Sequence, residues 1–384
     1  MGFTGKATYS AGAGLPETAE DIADLVAINS PFETPLLDAL GDATRPARST
    51  LHEWLEDTLL PNTDTVNDSV YTNALTDMTF GVSNASRFRV GDQIQLEGST
   101  EVMLVTAVDT VGGTVSVVRG YGGSTASALA NATPICILGN AALEGDDASS
   151  ARFTARSRKI NYTQIFASTV EVSGSELAVR QLGIKDELNY QKQQRTRELL
   201  RDLENCVING RAPAATQEGS STVRRTMRGI IPHLTTNKFS PGVGGFPGDT
   251  NVSEEQLNLA LRNIWKQSSG QVDLIVVGGV QKRAINQIVM PSRRFGSETE
   301  LVKNVVSIYE SDFGVCQVVM SRWVPKGMIL FLDSSRIEVL PLAGRSFHFR
   351  PLATTGDRES GQVIGEYTAE LRNESAHGLI SGLA

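Results

Sequence analysis

Cysteine, histidine, long apolar runs and, over one long stretch, lysine are scarce in this 384-residue sequence. The three cysteines, Cys136, Cys206 and Cys316, are far apart, which excludes a CxxC metal or redox pair and a disulfide scaffold. No apolar run reaches about 18 residues, and residues 1–15 lack the apolar segment of a signal peptide. We therefore expect no membrane span and synthesis in the cytoplasm.

Local signatures of catalysis are also missing. The four histidines are dispersed and form no HExxH motif, and there is no GxSxG, SxxK or GK[ST] sequence. The acidic segment 143–147 lacks the ligand order of a Ca²⁺ loop, and the pair Gly278 and Gly279 is typical of a tight β–α turn. We expect no enzyme activity and no catalytic, cofactor-binding or metal-binding residues, although a triad built from distant residues stays open.

The charge balance is acidic, with 35 basic and 43 acidic residues and a net charge of −8. This argues against a dedicated nucleic-acid binder but leaves contact through a local basic patch open. The arginines at 224–228 and 293–294 fit such a patch, contact with a neighbour's carboxylates, or an ordinary solvated loop. The length is ample for a core and predicts two to three domains, or one fold with a large insertion.

Two extended segments of opposite charge flank a β-rich region. Residues 49–79 contain six acids, among them Glu53, Glu56 and Asp57, and no lysine or arginine. Residues 151–172 carry four bases before their first acid: Arg152, Arg156, Arg158 and Lys159. Paired as two arms of a hairpin, these segments would neutralise each other. The pairing could form within the chain or with a neighbouring subunit.

Periodicity predicts the remaining elements. Short helices are expected at 18–28 and 35–40, and a β module at 80–143 with strands at 93–97, 101–108, 114–119 and 133–138. A long, mostly polar helix is expected at 175–209, kinked or broken near Gly183, followed by a long loop at 211–250. An α/β region begins with a capping box at Ser253. Loops are expected at 291–303 and 341–358 and a final strand at 362–373.

Five short motifs, in this order, resemble one protein family. They are NSPFETPLLDAL at 29–40, HEWLED at 52–57, NYTQIF at 161–166, RDLE at 201–204 and RTMRGI at 225–230. Together with the order of elements they resemble the major capsid protein of tailed bacteriophages, with its Hong Kong 97-type fold. The fold class expected from this resemblance is α+β, a phage major capsid fold with an inserted small all-β module.

The resemblance implies a division of the chain. It has an N-terminal arm, an extended E-loop that overlaps the next subunit, an inserted β-barrel or sandwich module, a peripheral P-domain with a long spine helix, and an axial A-domain. The corresponding ranges are 1–48 for the arm, 49–79 and 144–170 for the E-loop, 80–143 for the module, 171–249 with 341–384 for the P-domain, and 250–340 for the A-domain.

The resemblance also implies a function. The chain would assemble as pentamers and hexamers into an icosahedral head around phage double-stranded DNA, in the virion, after assembly in the host cytoplasm. Its partners would be further copies, a portal protein, possible separate scaffolding and decoration proteins, and packaged DNA by non-specific contact, without a membrane or a cofactor. An encapsulin-like nanocompartment shell and an α/β enzyme with a β-binding module are the alternatives.

The candidate residues are therefore contacts between subunits. They are Glu53, Glu56, Asp57, Arg152, Arg156, Arg158, Lys159, Arg293 and Arg294, the last two lining a five- or six-fold axis. Covalent crosslinking through an E-loop lysine is not expected, because no lysine occurs between Lys6 and Lys159.

Overall fold

The computed structural model describes residues 33–71, 73–145, 151–179, 186–289, 308–353 and 356–384. The helix expected at 18–28, Gly183 and the loop expected at 291–303 lie outside these ranges. The chain divides into two compact units. We call residues up to Trp54 and from Arg158 onward the main unit, and Leu55–Ser157 the barrel unit.

The α-helices of the described residues all belong to the main unit. They are α1 Pro35–Leu40, α2 Gly174–Ala178, α3 Glu187–Asn209, α4 Ile230–His233, α5 Glu254–Gln267 and α6 Gly279–Val289. The start of α5 is fixed as expected, because Ser253 accepts the Gln256 N–H and the Gln256 side chain accepts the Ser253 N–H.

Both units contain β-strands. They are β1 Leu51–Glu56, β2 Thr63–Thr65, β3 Thr79–Gly81, β4 Asp92–Leu96, β5 Val102–Asp109, β6 Thr114–Val118, β7 Pro134–Asn140, β8 Ser157–Tyr162, β9 Gln164–Ser173, β10 Lys238–Phe239, β11 Leu274–Val277, β12 Ile308–Ser311, β13 Gly314–Met320, β14 Ile329–Leu332, β15 Ile337–Pro341, β16 His348–Pro351, β17 Arg358–Leu371 and β18 Gly378–Ile380.

A six-stranded mixed sheet organises the main unit, in the order β10-β18-β14-β11-β13-β12. Strand β11 is buried on both faces, as its LIVV sequence requires. One face packs on Leu257, Leu261 and Ile264 of α5. The other face shares a core with Leu199 and Leu203 of α3 and with the second sheet.

The second sheet is built around the long strand β17. Strands β15 and β16 pair with it in succession, and β9 pairs antiparallel with residues 358–367. Strand β16 corrects our expectation of a loop throughout 341–358. Its sequence, HFRP, has no apolar alternation. It lies on β17 because Gly361 and Gly365 leave room for the rings of Phe349 and Phe347.

The predicted helix 175–209 is not continuous. Helix α2 ends at Ala178 because Val179 has an extended conformation, with ψ 135°. Helix α3 begins after Asp186, whose carboxylate accepts the Asn189 N–H at 3.0 Å. The buried residues of α3 all lie in its C-terminal half: Leu199, Leu203, Glu204, Val207 and Ile208. The polar N-terminal half therefore needs no apolar partner within the chain.

The barrel unit has one six-stranded sheet, in the order β2-β7-β4-β5-β6-β3. A bridge between Val66 and Val82 joins its first and last strands, so the sheet closes into a barrel. The module is larger than the expected range 80–143, because β2 lies within the segment expected as an arm. Side chains such as Phe80, Ile94 and Met103 fill the interior.

A buried ion pair holds loops of the barrel. Glu101 is fully buried and accepts hydrogen bonds from the Arg119 guanidinium at 2.8 and 2.9 Å and from the Ser127 and Gly120 N–H groups. Burial raises the pKa of Glu101, but the bonds from Arg119, Ser127 and Gly120 leave the pKa below its usual value. Arg119 also donates to the carbonyl of Asp77 at 3.1 Å, which fixes the chain before β3.

Candidate subunit-contact surface

The base of the two arms lies against β17, whose side chains alternate between two faces. Val363, Ala369 and Leu371 face the apolar core that contains α3. Glu366 and Glu370 lie on the opposite face and are nevertheless almost fully buried, with 3% and 1% of their surface exposed. Burying a carboxylate costs free energy unless it has hydrogen-bond or ion-pair partners. The partners of Glu366 and Glu370 therefore define the site described below.

Glu370 is held by the segment that leads into β1. Arg45 donates to both of its oxygens, at 3.0 and 2.9 Å, and Nε2 of His52 lies 2.6 Å from Oε2. Burial raises the pKa of Glu370, but the bond with His52 and the charges of Arg45 and Arg372 outweigh it and lower the pKa. Glu370 therefore stays ionised and ties the chain before and within β1 to β17.

Glu366 holds the other arm at the junction of β8 and β9. The Thr163 hydroxyl and the Arg225 guanidinium each donate to Oε1 at 2.6 Å, and Arg345 forms an ion pair with Oε2 at 2.9 Å. Arg225 also donates to the Thr163 carbonyl at 2.7 Å. One carboxylate thus joins three segments that are far apart in the sequence.

Two further contacts fix the base of the arms. Asn161 donates to the carbonyls of Arg228 and Ala369, at 2.9 and 2.7 Å. The Trp54 ring, only 8% exposed, lies between the rings of His52 and His233, with centroid distances of 6.0 and 6.2 Å. Both arms are therefore anchored where they leave the main unit.

A third buried carboxylate anchors α1. Glu204 of α3 accepts the backbone N–H groups of Leu36 and Leu37, at 3.1 and 3.4 Å, and the Ser321 hydroxyl at 2.7 Å. Burial raises the pKa of Glu204, and the three hydrogen bonds only partly oppose this. This contact joins the first helix of the described chain to α3 and to the end of β13.

The arms themselves pair as a two-stranded ribbon of β1 and β8. The Thr163 N–H donates to the Thr50 carbonyl at 2.9 Å, and the Ser157 hydroxyl donates to the Glu56 carbonyl at 3.5 Å, so the strands are antiparallel. Arg158 lies 3.6 Å from Glu53, and Arg156 lies 3.7 Å from Asp57. In this structure the oppositely charged arms pair within one chain. Because both arginines are about two-thirds exposed, each pair contributes roughly 1 kcal/mol or less.

Within the described ranges, no three His, Cys, Asp or Glu side chains are grouped as metal ligands. None of the helices described here is both long and apolar enough to cross a bilayer.

Cys316 is buried, and burial raises its pKa to about 12, so this thiol is unreactive at neutral pH.

Comparison with known protein families identifies the chain. The model of the SU10 major capsid protein family matches residues 3–384. The chain belongs to the SU10 major capsid protein family. The capsid protein is therefore a structural component of a virion. None of the curated proteins matches it.

Solved capsids share its fold over nearly the whole chain. The capsid of a native GTA particle aligns with a TM-score of 0.57 and 10% identity, covering 98% of this chain and 99% of that chain. For Gordonia phage Cozz the TM-score is 0.52 and the identity 12%, covering 100% and 97%. For Myoviridae phage XM1 the values are 0.51 and 9%, covering 95% and 97%. At such identities the likeness shows the fold alone, the Hong Kong 97-type fold expected from the sequence.

The structure brings some of the predicted contact residues together and leaves others apart. Two arginine–carboxylate pairs form on the ribbon, as described, and Glu56 is half-buried on β1 while Lys159 is exposed on β8. Arg152 donates to the Arg87 carbonyl at 2.9 Å, within the barrel unit. Arg293 and Arg294 lie outside the described residues.

The buried carboxylates of the capsid protein were missed by sequence reasoning. His52, Glu204 and Arg225 lie inside the family motifs, but the motifs give no hint of their partners. The available signal was the spacing of Glu366, Thr368 and Glu370, which alternates polar residues with Tyr367 and Ala369 in a strand. It shows that they share a face, not that the face is covered.

Proposed function

We propose that the capsid protein assembles as pentamers and hexamers into an icosahedral head that encloses phage double-stranded DNA. The observation that carries this proposal is the capsid fold over the full chain together with the ribbon of β1 and β8. A two-stranded ribbon is marginally stable in water when nothing covers it. Neighbouring copies would cover the ribbon, because subunits that close into rings contact one another through such surfaces.

In this proposal the ribbon is the core of the E-loop and overlaps the next subunit. Leu55 and Ile160 are 62% and 41% exposed, and burying such side chains would stabilise the contact at about 25 cal/mol per Å². The charged ribbon residues Glu53, Glu56, Asp57, Arg156, Arg158 and Lys159, with Arg152, would face the neighbour's polar surface. Each weak contact would be repeated many times in a closed shell.

The remaining assignments follow the same architecture. Residues 250–340 would form the axial A-domain, with Arg293 and Arg294 at the five- or six-fold axis, and 171–249 with 341–384 the P-domain. Assembly would occur in the host cytoplasm with a portal protein and possible separate scaffolding and decoration proteins. Contact with packaged DNA would be non-specific, since the chain as a whole is acidic.

Electron microscopy of the purified recombinant protein tests the proposal. We expect closed shells or rings of five and six subunits, alone or when the neighbouring gene products are co-expressed. Shells from infected cells should protect double-stranded DNA from nuclease. Shells that carry a protein cargo and no DNA would support the encapsulin-like alternative. A strict monomer under all these conditions would contradict the proposal.

A further inference from the structure

We propose that an exposed basic patch on the main unit binds the acidic barrel unit of a neighbouring copy. The patch consists of Lys159, Arg211, Arg224 and Arg228. All four side chains are exposed. This inference rests on the proposed assembly and names the partner of one of its surfaces.

The first observation is that the patch is rigidly presented. Arg228 is bracketed by Asn161, which accepts its N–H and donates to its carbonyl, both at 2.9 Å. The Met227 N–H donates to the Gln164 side chain at 3.1 Å, and Arg225 is bound to Glu366. Arg224 and Arg228 therefore flank a segment fixed to the junction of β8 and β9.

Further contacts bring the other bases close to this segment. The Thr226 hydroxyl donates to the Arg211 carbonyl at 2.8 Å, and the Gly229 N–H donates to the Gly210 carbonyl at 2.8 Å. Lys159 lies on β8, two residues before Asn161. In the described part of the chain, no carboxylate lies within ion-pair distance of these four side chains. Among the described residues, the patch thus has four positive charges without a carboxylate partner.

The second observation is the charge of the barrel unit. Residues 55–157 contain twelve acids, five arginines and no lysine, which places −7 of the net charge of −8 in this unit. Four of the five arginines already form ion pairs with carboxylates of the barrel unit: Arg87 with Asp64, Arg89 with Asp92, Arg119 with Glu101 and Arg156 with Asp57.

Little positive charge then remains to balance the barrel surface. By sequence, the other eight acids of residues 55–157 outnumber the one remaining arginine, Arg152, which donates to the backbone carbonyls of Ser86 and Arg87. Glu97 and Glu144 are examples of exposed acids of this set. Barrel units repeated over a shell would repel one another unless each met positive charge. The patch supplies such charge on every copy, and this favours a second copy over DNA as its partner.

A charge swap tests the inference. The patch reversal Arg224→Glu with Arg228→Glu should lower the yield of shells at least about fivefold in low salt, because like charges would then meet. The barrel reversal Glu97→Lys with Glu144→Lys should have a similar effect. All four changes in one chain should restore the yield to within about twofold of the wild type. Raising the ionic strength to about 0.5 M should weaken these differences, since salt screens exposed charges.

A matched control removes the effect of net charge. Arg262→Glu with Lys266→Glu changes two exposed bases of α5 by the same total charge, and its shell yield should stay within about twofold of the wild type. Shell yield is measured by light scattering and electron microscopy, and affinity for a short DNA duplex by fluorescence anisotropy.

Several results would overturn the inference. If the wild type forms shells and the patch reversal forms them with the same yield, the inference is wrong but the proposed function stands. A patch reversal that assembles normally but loses affinity for the DNA duplex would assign the patch to nucleic acid instead. A combined variant no better than the single reversals would exclude direct pairing of the two surfaces. Absence of shells from the wild type itself would count against the proposed function, and this inference would fall with it.

Discussion

Acid should destabilise the main unit through one buried histidine, His377. Its Nδ1 accepts the Asp333 backbone N–H at 3.1 Å, and its Nε2 lies 3.3 Å from the Arg372 carbonyl, to which it donates. Protonation would place a proton on Nδ1, where it would face another donor. Burial lowers the pKa of His377 to about 4. The charges of Asp333 and Glu374 oppose this effect, and that of Arg336 adds to it.

The sign and size follow from proton linkage. The unfolded chain binds a proton near pH 6.5 and the folded chain only near pH 4, so stability falls as the pH decreases through this window. We expect a loss of about 2 kcal/mol between pH 7 and pH 5, and about 3 kcal/mol once the pH is below 4. Above pH 7 the histidine should contribute no pH dependence.

Tryptophan fluorescence isolates the relevant unit. The three tryptophans, Trp54, Trp265 and Trp323, all lie in the main unit. Urea unfolding of the unassembled protein at pH 7, 6 and 5 therefore reports the stability of that unit. His377→Gln provides the comparison, because it removes the titrating group.

The variant is needed because other buried groups titrate at acid pH. The lowered pKa values of Glu370 and Glu374 add losses below about pH 4.5, whereas the raised pKa of Glu204 has the opposite sign. We expect the wild type to lose about 2 kcal/mol more than the variant between pH 7 and 5. Equal losses in the two proteins would refute the reasoning, and so would a wild-type stability that does not change. If the variant does not fold, the wild-type change between pH 7 and 5 decides.

Two substitutions test the packing of the main unit. Gly361→Ala would place a Cβ in steric overlap with Cζ of Phe349, whose ring also contacts the Lys192 ammonium at 4.1 Å, and should cost about 1–3 kcal/mol by urea unfolding. Gly248→Ala, where the nearest atom lies at 3.9 Å, should change little, and equal effects would contradict the steric argument. Glu204→Ala should cost about 2 kcal/mol and expose residues 33–40 to protease, because it leaves two N–H groups and the Ser321 hydroxyl unpaired. Glu204→Gln keeps one acceptor and should cost less, and the same protease pattern in both variants would argue against the anchoring role.

Much of the fold could be predicted because local rules agree with it. Helix α1 has the predicted bounds, and strands β5 and β6 lie within one residue of the ranges expected at 101–108 and 114–119. Strand β16 could not be predicted, since its place depends on two glycines of β17 across the sheet. The break after α2 was expected near Gly183, but Val179 already leaves the helical conformation. The position of β16 is decided by tertiary contacts rather than by propensity.

The candidate site was less predictable for a related reason. The charged residues of the arms can be read from the sequence. Their exposed arginine–carboxylate pairs are those expected when two strands of opposite charge lie side by side. The strong contacts are different, because Arg45 and Glu370 are 325 residues apart and Thr163 and Glu366 are 203 residues apart. Spacing and composition within a window contain no information about such pairs. Only the fold shows that these carboxylates are buried.

The two kinds of ion pair have different consequences for the arms. Breaking a buried pair by removing one partner costs several kcal/mol, whereas an exposed pair contributes about 1 kcal/mol or less. Glu366 and Glu370 therefore fix where the arms leave β17, and the exposed pairs on the ribbon do little to hold its outer part. Those exposed charges can exchange partners at low cost. A fixed base combined with exposed charges that can exchange partners suits a ribbon that contacts neighbouring copies, as in the shell we propose.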